Sequence, residues 1–238
     1  MITNNSESTN AQSCQTAVTG SSGLFITNED NMLLMSRYPD NYFDLAIVDP
    51  PYGMGDVSKF TPRKTNCAKN KIHKETEWND ETPKDEYWAE LFRVSKNQIV
   101  WGANYMTEKL PISRGWIFWD KGYENTNNFS AGELAWTSFD TVLKKVKIVH
   151  RVLPHMQPNI HPTQKPIKLY EWILSNYTEN GFKILDTHLG SGSVALAIDN
   201  FNKIEKMNLT LTACELDKGY FKKTMLRIKI DSNWQSLF

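Results

Sequence analysis

From residue 23 onward, short apolar runs alternate with longer segments in which apolar residues recur every three or four positions. Leu24 to Thr27 reads as a short strand and Asn31 to Tyr38 as one or two helical turns. Phe43-Asp44-Leu45-Ala46-Ile47-Val48 is a compact apolar run that stops at Asp49-Pro50-Pro51. Such a run predicts a central parallel strand buried on both faces, and two prolines end it because neither can donate to a ladder. Pro83 to Val94 carries Tyr87, Leu91 and Val94 at helical spacing. Strands follow at Gln98–Trp101, Gly115–Trp119 and Glu133–Phe139. After Pro166 a helix runs to about Tyr177, with Leu169, Trp172 and Ile173 on its apolar face and Gly181 beyond its end. Phe182–Leu185 (strand), Ser193–Phe201 (helix), Leu209–Cys214 (strand) and Asp217–Ile230 (helix) complete an alternation that predicts a parallel α/β sheet.

Two stretches lack this patterning. Residues 1–22 are dominated by Ser, Thr, Asn, Gln and Gly and read as a disordered leader. Residues 53–82 read as a long mobile loop, the kind that serves as a lid or binding element. Charge along it is divided: six basic residues and no acid from Lys59 to Lys74, then seven acids and one Lys from Glu75 to Glu90. A second acid-free stretch, Thr141 to Tyr170, holds six Lys or Arg.

The 238 residues suffice for one large domain, taken as 23–238, and two well-formed domains would be a squeeze. Net charge is zero, so contact with nucleic acid must come from charge segregated on one face. Cys14, Cys67 and Cys214 are far apart, which argues against a zinc site and a disulfide framework and fits a reducing cytoplasm. Residues 1–36 contain no Lys or Arg and no long apolar run follows, so neither a secretory signal nor a membrane span is expected.

Leu185-Asp186-Thr187-His188-Leu189-Gly190-Ser191-Gly192-Ser193 joins a strand to a helix. Gly190 and Gly192 permit a tight turn and a close ligand approach, and Ala195 allows tight helix–strand packing. Glu215 closes the next strand, where an acid can bind the two hydroxyls of a ribose. The same turn satisfies a relaxed dinucleotide fingerprint, and Gly-rich turns also occur without any ligand. Asp186 favours a different occupant: an acid there would repel a pyrophosphate but accepts hydrogen bonds from the cationic amino-acid part of S-adenosylmethionine.

Asp49-Pro50-Pro51-Tyr52 suits the methylation of an aromatic amine. Such an amine is a poor nucleophile because its lone pair is delocalised into the ring. The Asp49 carboxylate and the Pro50 carbonyl can accept its two N–H groups and localise that pair toward a methyl donor. Tyr52 offers a ring for the base, which must first be flipped from a duplex. The bland alternative is a Pro-Pro turn that merely caps a strand.

Together these segments resemble the amino-methyltransferases of DNA, specifically the circularly permuted β group, over roughly residues 23–231. In that group the Asp-Pro-Pro-Tyr motif comes first and the cofactor motifs lie near the C-terminus. Here Asp49–Tyr52 precedes His161-Pro162-Thr163-Gln164-Lys165-Pro166, then Asp186 to Ser193, then Ala213-Cys214-Glu215-Leu216-Asp217 with Tyr220 and Arg227. The resemblance implies a Rossmann-like methyltransferase fold, α/β, with a mostly parallel central sheet and helices on both faces. It implies S-adenosyl-L-methionine as cofactor and no metal. Asp49, Pro50 and Tyr52 are the expected catalytic residues. Asp30, Thr163, Lys165, Asp186, His188, Gly190, Ser191, Gly192 and Glu215 are the expected cofactor contacts, with Asp30 on the adenine and Thr163 and Lys165 on the methionine carboxylate. Thr187 and His188 stand where the family has Pro-Phe, a departure that removes the aromatic ring often supplied there and for which an imidazole can substitute only in part.

Double-stranded DNA is the implied partner, through Lys59, Arg63, Lys64, Lys144, Lys147 and Arg151, with about 139–160 as a small target-recognition region. The implied reaction is methyl transfer to adenine N6; cytosine N4 is the alternative, and a non-catalytic DNA-binding module of the same fold is the rival. A homodimer and a cognate restriction enzyme remain open as partners, the latter in a restriction-modification setting.

Overall fold

The computed structural model describes residues 15–18, 23–54, 81–123, 130–149, 160–161 and 163–235. Its strands form a nine-stranded sheet in the order β1-β2-β9-β8-β3-β4-β6-β5-β7. In chain order these are β1 (Gln15–Val18), β2 (Leu24–Asn28), β3 (Phe43–Val48), β4 (Ser95–Trp101), β5 (Trp116–Asp120), β6 (Gly132–Thr137), β7 (Lys144–Lys147), β8 (Lys183–Asp186) and β9 (Thr210–Cys214). All but β1 and β6 run in the same direction. The expected mostly parallel α/β sheet is therefore present.

Five helices flank it: α1 (Asn31–Met35), α2 (Asp85–Val94), α3 (Ile167–Tyr177), α4 (Ser193–Glu205) and α5 (Lys218–Gln235). Two apolar layers result. One face of the sheet packs Leu45, Ile47, Ile99 and Ile184 against Leu169 and Ile173 of α3 and Val194 and Ile198 of α4. The other packs Ala46, Val48, Val100 and Leu185 against Leu34 of α1 and Tyr87, Leu91 and Val94 of α2. The alternation Leu45/Ile47 against Ala46/Val48 is the period-two pleat of a strand with both faces covered, which is why β3 reads as an unbroken apolar run.

β8 and β3 are neighbours, yet their crossovers diverge. The chain leaves β8 through α4 toward β9 on one face, and leaves β3 through α2 toward β4 on the other. The C-terminal ends of β8 and β3 thus form a topological switch point, the position where open α/β sheets bind ligands. Asp186 ends β8 and Asp49 follows β3.

Two expectations need correction. Gln15–Val18 lies within the segment read as a disordered leader, but its main chain pairs antiparallel with β2 as an edge strand. Lys144–Lys147, within the small target-recognition region expected at about 139–160 and read without a strand, is strand β7 and pairs in parallel with β5. In both cases a few polar-rich residues gain their strand conformation from a neighbour's free edge, a contribution that local patterning does not contain. Residues 55–80, and with them most of the loop expected at 53–82, lie outside the described residues.

Candidate active site

The end of β3 is held by side chains from three other segments. Tyr52 donates its hydroxyl to Asp49 Oδ1 at 2.6 Å, and the Lys165 ammonium binds Asp49 Oδ2. Lys165 Nζ also lies 3.3 Å from Glu133 Oε2 on β6, whose Oε1 meets Lys121 Nζ at 2.6 Å. The result is a continuous chain of alternating charge: Asp49, Lys165, Glu133, Lys121. The Lys165 side chain is only 3 % exposed, and its ammonium also lies 5.3 Å from the Trp101 ring centroid. Burial works against its charge, but Asp49 and Glu133 prevail and raise its pKa. Burial likewise works against the Glu133 carboxylate, and Lys165 and Lys121 outweigh it, holding the pKa below the usual value.

Tyr52 stacks on Tyr105 with centroids 5.3 Å apart and planes at 17°. Gly102 makes room for it: φ is +65°, and a Cβ there would meet Tyr52 Cε1 at 2.0 Å. Burial, with Asp49 alongside, raises the Tyr52 phenol well above its usual pKa, so it stays a hydrogen-bond donor.

Across the switch point, the Gly-rich turn has a different character. Asp186 Oδ1 accepts the backbone N–H of His188 at 2.9 Å. Glu215 Oε2 accepts that of Gly190 at 2.9 Å, and Oε1 that of Asp217 at 2.8 Å. Burial pushes Asp186 up to about 8, against the His188 N–H and with added repulsion from Asp49 and Glu215. Burial also pushes Glu215 up to about 7. His188 is driven down to about 4 by burial and is neutral near pH 7. Its ring contacts Thr187 Oγ1 at 2.9 Å and Asn31 Nδ2 at 3.2 Å, and lies edge-on to Tyr87.

Gly190 and Gly192 have φ of +52° and +73°, the left-handed conformation that glycine adopts freely. Thr224 on α5 donates to the Gly190 carbonyl at 2.5 Å, and buried Arg227 binds the Ser191 carbonyl at 2.7 Å. Helix α5 therefore fixes the turn from behind. His161 packs on Tyr220 at 4.5 Å between centroids and stands near Gly190, which brings its ring over the turn.

Two of the predicted residues have partners other than those expected. Lys165 was expected on a cofactor carboxylate, but its ammonium points to Asp49 and Glu133. Lys144 was expected to contact DNA, but it opens β7 at the end remote from Asp49, with its ammonium 4.7 Å from the Tyr177 ring centroid and 3.2 Å from Asn176 Oδ1. Lys147 closes β7 beside Asp120 and so stays at the active end. Asp30 caps α1 by accepting from Met32 N at 2.8 Å, one residue before the Asn31 that reaches His188. Thr163 contacts His161 Nδ1 through its hydroxyl at 3.1 Å. Lys59, Arg63, Lys64 and Arg151 lie outside the described residues.

Glu133, Lys121, Trp101, Tyr105 and Thr224 were not foreseen as site residues. An acid opening the apolar strand Leu134-Ala135-Trp136 was the one signal available, and it pointed equally to solvent.

A five-stranded parallel core with carboxylates at a switch point defines an α/β enzyme of the nucleoside-cofactor-binding kind. The family model for DNA methylases of the N6/N4 type matches residues 100–225, more than half of the chain, and the chain belongs to that family. No curated protein matches the sequence. Among solved structures, the M1.HpyAVI–SAM complex is similar with a TM-score of 0.53 and 18% identity, covering 86% of this chain and 99% of that one. PvuII DNA methyltransferase, cytosine-N4-specific, gives a TM-score of 0.57 at 12% identity, covering 87% and 86%. A putative DNA modification methylase from Thermus thermophilus, complexed with S-adenosyl-L-methionine, gives 0.50 at 12%, covering 85% and 91%. These likenesses establish the methyltransferase fold. Among the described residues, no helix is long and apolar enough to cross a membrane.

Proposed function

We propose that this DNA methylase uses S-adenosyl-L-methionine and methylates the N6 amine of an adenine flipped out of duplex DNA. The observation that carries this reading is the pairing, across one switch point, of the Asp49–Tyr52 strand end with the Asp186/Glu215 turn. The turn fits the cofactor. Asp186 is a buried carboxylate with a raised pKa, which a cationic ammonium would relieve, and Glu215 follows β9 where ribose hydroxyls would lie. When bound, S-adenosyl-L-methionine supplies a methyl group made electrophilic by its sulfonium.

The chain's own residues prepare the nucleophile. Asp49 accepts one amine N–H and the Pro50 carbonyl the other, which concentrates the nitrogen lone pair opposite the methyl carbon. The Tyr52 face receives the base, and stacking there offsets about 1–3 kcal/mol of unstacking. The cofactor would supply the methyl group and keep the C–S electron pair on sulfur, and Asp49, which holds the amine N–H, would be placed to take the proton that the nitrogen loses. Lys147 and the basic residues Lys59, Arg63, Lys64 and Arg151 are the proposed phosphate contacts; Lys144 is withdrawn from that set.

The direct test is transfer of a tritiated methyl group from S-adenosyl-L-methionine to duplex DNA, followed by nucleoside analysis. N6-methyladenine is expected. N4-methylcytosine as sole product would overturn the base assignment, and binding of DNA without any transfer would indicate a silent module.

A further inference from the structure

Lys165 is bound to the carboxylate that the target amine must reach. Both oxygens of Asp49 already have donors, the Tyr52 hydroxyl on Oδ1 and the Lys165 ammonium on Oδ2. An incoming amine N–H therefore competes with a buried ammonium, and a buried ammonium without an acceptor is costly. Glu133 supplies the alternative. Its Oε2 is buried and, among the described residues, makes no hydrogen bond of good geometry, yet it lies 3.3 Å from Lys165 Nζ. Its Oε1 is fixed by Lys121 at 2.6 Å, which keeps Oε2 in ion-pair contact with the Lys165 ammonium and within reach of a closer bond.

Building on the methyl-transfer reading, we propose that Glu133 is a positioning residue that takes over the Lys165 ammonium when the target amine occupies Asp49. In the structure Lys165 binds Asp49 Oδ2 and holds the strand end in place. When the base enters, the ammonium moves from Asp49 Oδ2 to Glu133 Oε2, and no charge is stranded. The other groups facing this cluster are Tyr52, Tyr170 on α3 and Asp186 at the end of β8. Neither tyrosine offers an anion near pH 7, because burial raises both phenols. Among the described residues the other carboxylate facing the cluster, Asp186, ends β8 and opens the cofactor turn. Glu133 is thus the acceptor whose charge is not committed elsewhere in the reaction.

The test uses the full chain carrying Glu133→Gln, Glu133→Asp or Lys121→Met. Each variant is assayed for kcat, KM for DNA and the pH profile of kcat/KM, with S-adenosylhomocysteine affinity and thermal melting as controls. Glu133→Gln should lower kcat by about tenfold or more, the scale of one charge-assisted hydrogen bond, with S-adenosylhomocysteine affinity unchanged. Its acid limb should move to lower pH, because one anion fewer faces the catalytic carboxylate. Glu133→Asp, which keeps the charge, should recover part of the loss. Lys121→Met leaves Glu133 with one ammonium instead of two and should move the acid limb the opposite way.

A folded Glu133→Gln enzyme with unchanged kcat, or with a lowered kcat but an unmoved acid limb, would overturn the hand-over. If Glu133→Gln does not fold, the shift of Lys121→Met decides, and an unmoved limb there overturns it equally. A wild-type chain without methyl transfer would instead refute the underlying reading, and the hand-over with it.

Discussion

The two strand ends that face each other across the switch point handle buried charge in opposite ways. After β3, Asp49 and Glu133 share the Lys165 ammonium, and Lys121 completes the pairing. After β8 and β9, Asp186 and Glu215 are buried with backbone N–H groups as partners, and their pKa values rise. A site whose charges are already balanced can take up a neutral base by exchanging partners within its own chain of charges. A site with unbalanced carboxylates is poised for a cation. The difference supports the proposed reading in which the base is taken on one side and the sulfonium cofactor on the other.

The largest expected effect comes from breaking the base side. Asp49→Ala should reduce methyl transfer by about a thousandfold, within the range for losing a group that handles a proton or N–H in the transition state. S-adenosylhomocysteine should bind within about threefold of wild type, since the loss is of transition-state stabilisation alone. Equal losses in transfer and binding would erase the division between the two sides.

On the cofactor side, Asp186→Asn should weaken S-adenosyl-L-methionine binding by about 10–100-fold, the worth of a charge-assisted contact. Isothermal titration measures it directly, and wild-type affinity would remove Asp186 from the cofactor set.

The pH dependence sharpens the same contrast. The folded pKa of Asp186, about 8, lies above its ordinary value of 3.8. In the ligand-free protein this group therefore imposes no penalty below the ordinary value, and stability falls as pH rises toward the folded pKa. A cation bound beside the carboxylate reverses the preference. Cofactor binding should accordingly release a proton between about pH 5 and 8 and tighten as pH rises through that window. Titrations in buffers of different ionisation enthalpy read the proton count, and a count of zero would contradict the assignment.

A smaller effect is expected from Gly102→Ala. The new Cβ would collide with the Tyr52 ring from a residue in the left-handed region, so about 1–3 kcal/mol of stability should be lost. Thermal melting reads the stability, and KM for DNA should rise as the stacking platform shifts. The smallest effect should come from Lys147→Gln: one phosphate contact fewer, hence a salt slope of DNA binding reduced by about one.

Much of this was legible in the chain itself. The apolar runs, the double-proline stop and the Gly-rich turn fix which strands are buried and where ligands approach, because they report backbone constraints carried by the local residues. The order of motifs gave the permuted arrangement. What the sequence could not decide was partnership. Lys165 and Asp49 are 116 residues apart, and nothing local indicates that the lysine binds this acid rather than a cofactor. The same holds for Glu133, which could as well have faced water, and for Lys144, a basic residue turned away from the site by its place on β7. Patterning records which side of an element is apolar. Which charge meets which depends on sheet order, and that is settled only when β3, β6 and the segment before α3 come together.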